Sequence, residues 1–173
     1  MSSVGPVGKD GWLDFRRRLL ERELLAGSFI KTPTVHATEI FSGLGYDFVV
    51  IDQEHGPFDR GALDVMLCVA RATGIAGIVR VPNVQSILAA LDMGASGIIV
   101  PHVNSAGIAQ NAAAAARYAG GTRGCSPSPR AGRYGGLSLA DHVAQSDAAV
   151  SVTVMIEHPD AVNDIDDIAA TDG

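Results

Sequence analysis

The stretch VVIDQEHGPFD, residues 49–59, runs apolar and then places Asp52, Glu54 and His55 within four positions. An imidazole beside a carboxylate can serve as a general base, with Asp52 orienting the ring of His55 and setting its tautomer. A loop histidine bonded to a neighbouring acid accounts for the same residues equally well. Arg80 interrupts the apolar run AGIVRVP. A guanidinium there is costly to desolvate unless a partner or ligand meets it. Its planar fork suits a carboxylate or a developing oxyanion, and a buried structural ion pair is the competing reading. Glu157 closes VSVTVMIE in the same manner. Together with a second carboxylate and the oxygens of a ligand it would suit a hard divalent cation. Lys31 ends another apolar run and is one of only two lysines, with Lys9, so it is the single candidate for a Schiff-base nucleophile. His102 and His158 read as capping or surface residues.

Something must bring these side chains together. Short aliphatic runs at 24–31, 46–52, 76–82, 96–101 and 150–157 alternate with helical patterns near 34–44, 59–73, 84–93, 105–118 and 138–147, after a polar leader and a helix near 10–24. That alternation is the mark of β/α units around a parallel sheet. The runs are apolar almost throughout, so both faces of each strand should be covered. Three strands are introduced alike, in SGLGYDF, RATGIAG and LDMGASG, with glycine where a left-handed helix cap is wanted. No G-x-G-x-x-G follows the first strand, which sets a dinucleotide fold aside. Lys31, Asp52, Glu54, His55, Arg80, His102 and Glu157 all fall at or just past strand C-termini, the ends that converge on the catalytic face of a β/α barrel. The expected fold is a single (β/α)8 TIM barrel domain over 1–173, with 1–23 as leader and first helix, of which the chain holds about five strands. A further strand is expected beyond Gly173.

At 173 residues and 47% hydrophobic content the chain can build one domain with a core. A net charge of −6 disfavours nucleic acid and anionic membrane surfaces. RRRLLER at 16–22 reads as a solvated helix face. No run reaches the ~20 apolar residues of a bilayer span, and the N-terminus lacks the apolar core of a secretion signal, so a cytoplasmic location is expected. Cys68 and Cys125 form no metal or disulfide spacing, and Cys68 fits the apolar face of a helix as filler. The loop at 120–136, GGTRGCSPSPRAGRYGG, exceeds a minimal connector and suggests a lid or a subunit contact.

Taken together, YDFVVIDQEHGPFD, VRVPN, LDMGASGIIVPHV, YAGGTRGCSPSPRAGRYG and VMIEHPDAVNDIDDIAA resemble the metal-dependent pyruvate aldolases of the HpcH/HpaI family, the group of 4-hydroxy-2-oxoheptanedioate and 2-keto-3-deoxy-sugar-acid aldolases. The resemblance runs from about residue 24 onward. It implies a β/α barrel assembling as a homo-oligomer, commonly a hexamer. It implies that His55 acts as base with Asp52, that Arg80 polarises the ketone of a bound 2-oxo acid, and that Glu157 holds a divalent metal, Mg²⁺ or Mn²⁺, with Co²⁺ also suitable. Asp92 is then expected to reach the histidine–aspartate pair of a neighbouring subunit. Met155 stands where some relatives carry glutamine, a departure that bears on specificity. The family's second metal carboxylate is an aspartate on the next strand, expected beyond Gly173.

The reaction so implied is reversible cleavage of a 4-hydroxy-2-oxo acid to pyruvate and an aldehyde. A Schiff-base lyase using Lys31, a 2-oxo-acid decarboxylase sharing the same enolate chemistry, and a non-catalytic assembly module are the alternatives.

Overall fold

A computed structural model describes residues 11–173; the leader before Gly11, Lys9 included, lies outside the described residues. Five parallel strands, β1 (Gly27–Ile30), β2 (Phe48–Asp52), β3 (Ala76–Arg80), β4 (Gly97–Val100) and β5 (Ser151–Val154), pair in sequential order. Helices α1 (Gly11–Leu20), α2 (Val35–Gly43), α3 (Arg60–Thr73), α4 (Ile87–Asp92), α5 (Ala106–Ala116), α6 (Leu139–Ala149), α7 (Pro159–Asn163) and α8 (Ile165–Ala169) stand between and beyond them. Sequential parallel order with intervening helices is the wall of an α/β barrel over the part that the chain spans.

Local chemistry explains the elements. In α3, Leu63, Met66, Leu67 and Ala70 recur at helical spacing and are buried. Asp59 caps its N-terminus by accepting from the Ala62 N–H at 2.7 Å, and Gly74 ends it in the left-handed region at φ 83°. Gly45 and Gly94 adopt positive φ at the other two expected caps. Cys68 is exposed. It follows Leu67 directly and so turns out of the buried stripe, which corrects its expected place on the apolar face.

Alternation along the strands divides the core. Val49, Ile51 and Val79 face the helices in one large cluster, whereas Val50, Ala76 and Ile78 form a second cluster with Phe15 of α1. The Phe15 and Phe48 rings meet at 5.3 Å, so α1 closes the inner face of the sheet from below. On that same inner face, two residues further along each strand from Val50 and Ile78, come Asp52 and Arg80.

Several expected bounds shift. β5 ends at Val154, leaving Glu157 three residues past the strand. The pattern near 84–93 divides into a 3₁₀ turn, Val84–Ser86, and α4. The long loop docks on the helix layer. Arg130 donates to Asp64 of α3 at 2.6 and 3.0 Å and to the Met93 carbonyl at 2.7 Å. That anchorage places the loop against α3 and the end of α4, not as a lid across Asp52 and Arg80. Within it, Arg133 and Tyr134 take left-handed φ of 53° and 56°. Among the described residues, no helix is long and apolar enough to cross a membrane.

Candidate active site

Asp52 and Arg80 are register partners, each at the last position of its strand. Strand neighbours on one face lie within side-chain reach, and here the contact is two-pronged. Arg80 donates from Nε to Asp52 Oδ1 at 2.8 Å and from Nη2 to Oδ2 at 2.6 Å. Asp52 has no exposed surface and Arg80 is 7% exposed. Burial by itself would raise the Asp52 carboxyl, but the Arg80 guanidinium and the His55 backbone N–H outweigh it and bring the value down to about 2. The hydrogen bonds to Asp52 raise Arg80 in turn, against the effect of burial. The Phe29 ring lies 5.3 Å from the guanidinium carbon and supplies a π face for the cation. Nη1 is left without a hydrogen-bond partner among the described residues.

This arrangement differs from the expected histidine–aspartate pair. Asp52 touches His55 only through the latter's backbone N–H, at 3.2 Å. The His55 imidazole is 60% exposed, and its recorded carboxylate neighbour is Glu54, with Nε2 3.8 Å from Oε2. The Asp52 carboxylate is turned to Arg80, and no contact joins it to the His55 ring among the described residues.

Glu54, which carried no assigned role in the sequence, is the hub. Its Oε2 lies 3.3 Å from Arg80 Nε, but that nitrogen's single N–H goes to Asp52, so the buried Oε2 has no hydrogen bond of its own. Its Oε1 meets His102 Nε2 at 2.9 Å. On the other side of His102, Glu157 Oε2 accepts from the His102 backbone N–H at 2.9 Å and lies 3.5 Å from Nδ1. His102 holds φ 58°, a strained value for a non-glycine residue, at the loop following β4. One imidazole thus bridges two carboxylates from different strand ends. His158 caps α7 by accepting from the Asp160 N–H through Nδ1.

Lys31 Nζ stands 3.4 Å from Asp52 Oδ2 and its side chain is 57% exposed. Asp92 ends α4, which leads into β4, so it lies toward the N-terminal ends of the strands and apart from Asp52 and Arg80. There it accepts from Arg123 Nη2 at 3.1 Å.

As for a metal, no group of three or more His, Cys, Asp or Glu side chains is close enough to form a cage among the described residues. The carboxylates on this face are Glu54, with an unpartnered buried oxygen, and Glu157, one on either side of His102. Two carboxylates with the remaining positions left to water and substrate oxygens suit Mg²⁺-like ions, which retain much of their water.

Residues 25–173 match the family model described as HpcH/HpaI aldolase/citrate lyase, and the chain belongs to that family. It is 32% identical over 162 residues to a 5-keto-4-deoxy-D-glucarate aldolase of Escherichia coli O139:H28, covering 92% of this chain and 62% of the relative. Among solved structures it is similar to an HpcH/HpaI aldolase/citrate lyase family protein from Burkholderia cenocepacia J2315, with TM-score 0.86 and 29% identity over 93% of this chain and 66% of that one. It is also similar to the citrate synthase SbnG, with TM-score 0.80 and 34% identity over 91% of this chain and 61% of that one. The chain spans about three-fifths of the length of the curated relatives it matches.

Proposed function

We propose that the protein is a divalent-metal-dependent aldolase that reversibly cleaves a 4-hydroxy-2-oxo acid to pyruvate and an aldehyde. The observation that carries the reading is the buried Asp52–Arg80 pair at neighbouring strand ends, set beside the Glu54–His102–Glu157 chain of carboxylates and imidazole. Membership in the family supports it.

Arg80, with Nε and Nη2 held by Asp52, presents Nη1 to the 2-oxo oxygen of the substrate. A guanidinium fixed on two points in a buried setting needs no reorganisation as negative charge grows on that oxygen. His55, with its ring open to solvent, takes the proton from the 4-hydroxyl. The C3–C4 bond then breaks, the aldehyde leaves, and the electron pair passes to the enolate of pyruvate. Protonation at C3 completes the turnover. Glu157, with Glu54 beside it, would hold Mg²⁺ or Mn²⁺, and Co²⁺ meets the same requirement. When bound, that ion supplies Lewis-acid polarisation of the 2-oxo acid. Asp92, placed away from its own chain's pocket, acts across a homo-oligomer interface, which the resemblance suggests is that of a hexamer. The location that fits these small-molecule partners is the cytoplasm.

Lys31 weighs against the Schiff-base alternative, since such an amine is activated by desolvation in an apolar pocket and Lys31 is more than half exposed beside a carboxylate. Pyruvate release from a panel of 4-hydroxy-2-oxo acids, with and without chelator, tests the proposal. Chelator-sensitive release is expected. Release that persists in chelator, with borohydride trapping on Lys31, would establish the Schiff-base route; carbon dioxide from a 2-oxo acid without aldehyde would establish a decarboxylase. No turnover from a folded, metal-loaded sample would leave an assembly module.

A further inference from the structure

A cavity lies at the opposite end of the sheet from Asp52 and Arg80. It is a hollow of about 40 Å³, bounded by α1, the end of α3, the turn into β4 and the last turns of α6. That volume gives room for about three water-sized positions. Ser96 and Val150, which precede β4 and β5, lie on its wall and fix it to the N-terminal rim of the strands.

The charge of this cavity is lopsided. Arg71 and His142 line it, and no aspartate or glutamate does. Arg71 enters no ion pair among the described residues, in a chain of net charge −6. It gives one N–H, from Nη1, to the Arg130 carbonyl at 3.1 Å and lays its guanidinium 4.0 Å from the centre of the Trp12 ring. Its other donors have no hydrogen-bond partner among the described residues. Its half-buried charge is also crowded by like charge. Burial first, and then the nearby Arg130 and Arg133, lower the Arg71 guanidinium from its ordinary value. Arg130 is offset by Asp64, but nothing comparable offsets Arg71 among the described residues. Gly94 makes this crowding possible: its φ of +97° and missing Cβ admit Arg71 Nη1 and Arg130 Cδ to within 3.0 and 3.3 Å of where a side chain would start.

Three observations therefore converge. The cavity is small and partly open, it holds a guanidinium with no ion-pair partner among the described residues, and Ser96 on its wall has a buried hydroxyl without a hydrogen-bond partner among them. Leu13, Leu91, Ala149 and Val150 give the wall an aliphatic part, beside the polar Gln145 and Ser146. We propose that this cavity is a binding site for a short-chain monocarboxylate of two or three carbons, its carboxylate paired with Arg71 beneath the Trp12 ring and its alkyl end against the aliphatic wall. A planar carboxylate matches the guanidinium fork, and the aliphatic side chains on the wall suit a short alkyl end.

Trp12 is the only tryptophan in the chain, so its fluorescence reports on this cavity. Acetate and propionate, titrated at constant ionic strength against chloride, should change that emission saturably in the millimolar range, within the ceiling for ligands of about four or five heavy atoms. Ala149→Leu, which fills the wall without altering charge, should abolish saturation. Arg71→Gln should weaken binding at least tenfold, read by calorimetry because the substitution also changes the ring's environment, and Arg71→Lys should restore part of it. A linear response to acetate, or a saturable one that survives both Ala149→Leu and Arg71→Gln, overturns the site. Phosphate or sulfate saturating as readily as acetate overturns the carboxylate assignment.

Discussion

Asp52 and Arg80 face each other across β2 and β3 as register partners, and the two hydrogen bonds between them make each the condition for burying the other. An ion pair of this kind is seldom a net source of stability, but breaking it from one side leaves an uncompensated buried charge.

Arg80 substitutions should therefore separate chemistry from folding. Arg80→Ala strands Asp52 and should cost about 3–5 kcal/mol in urea denaturation. Arg80→Lys keeps a charge near Asp52 but loses the fork, so the protein should remain folded while turnover falls by roughly 10²- to 10³-fold, the usual cost of one oxyanion donor. Normal turnover in folded Arg80→Lys would reduce the pair to a structural role.

The Asp52 carboxyl sits at about 2, below its ordinary value of 3.8. A carboxylate depressed by folding adds stability that is fully present above its unfolded value and is lost as pH falls through the folded one. The urea midpoint of the wild type should accordingly fall between about pH 4 and pH 2 through this group, and Asp52→Asn should have a lower midpoint at neutral pH with a shallower acid slope. Equal slopes in the two proteins would show that Asp52 does not couple folding to pH.

His142 should act at a higher pH. It is buried at 1% exposure, and burial chiefly, with Arg123 nearby, lowers it from its ordinary 6.5; its Nε2 lies 3.0 Å from the Tyr118 hydroxyl. Since the unfolded chain binds this proton more readily, stability should be complete above about pH 6.5 and decline as pH drops below it. His142→Gln should flatten that part of the thermal-denaturation profile. A profile that rises on acidification from 6.5 would contradict the assignment.

His55→Ala removes an exposed ring. It should shift stability by no more than about 0.5 kcal/mol, while slowing aldol cleavage by roughly 10²- to 10⁴-fold as expected for a general base. A rate unchanged at neutral pH would take His55 out of the mechanism.

Much of this was legible in the residues themselves. The left-handed caps at Gly45, Gly74 and Gly94 follow from backbone sterics, which act locally, and strand ends can be read from where apolar runs stop. What depends on pairing was not. That Asp52 meets Arg80 instead of the His55 ring requires the register of β2 against β3, and the Glu54–His102 contact joins positions 48 residues apart. The placing of Glu54 at a strand end was the available signal, but it does not say which neighbour a side chain chooses. The loop after α5 read as a lid or a subunit contact on composition alone; its position is decided by Arg130 finding Asp64 and the Met93 carbonyl.

The central claim, that the face bearing Arg80, His55 and Glu157 makes and holds the enolate of a 2-oxo acid, can be tested without knowing the aldehyde. Pyruvate in D₂O with Mg²⁺, followed by proton NMR, should exchange its methyl hydrogens faster with the protein than in buffer. Chelator should suppress the exchange, and Arg80→Lys should slow it by about 10²-fold or more. Exchange no faster than buffer from a folded, Mg²⁺-supplied sample, or exchange indifferent to both chelator and Arg80→Lys, would contradict the account.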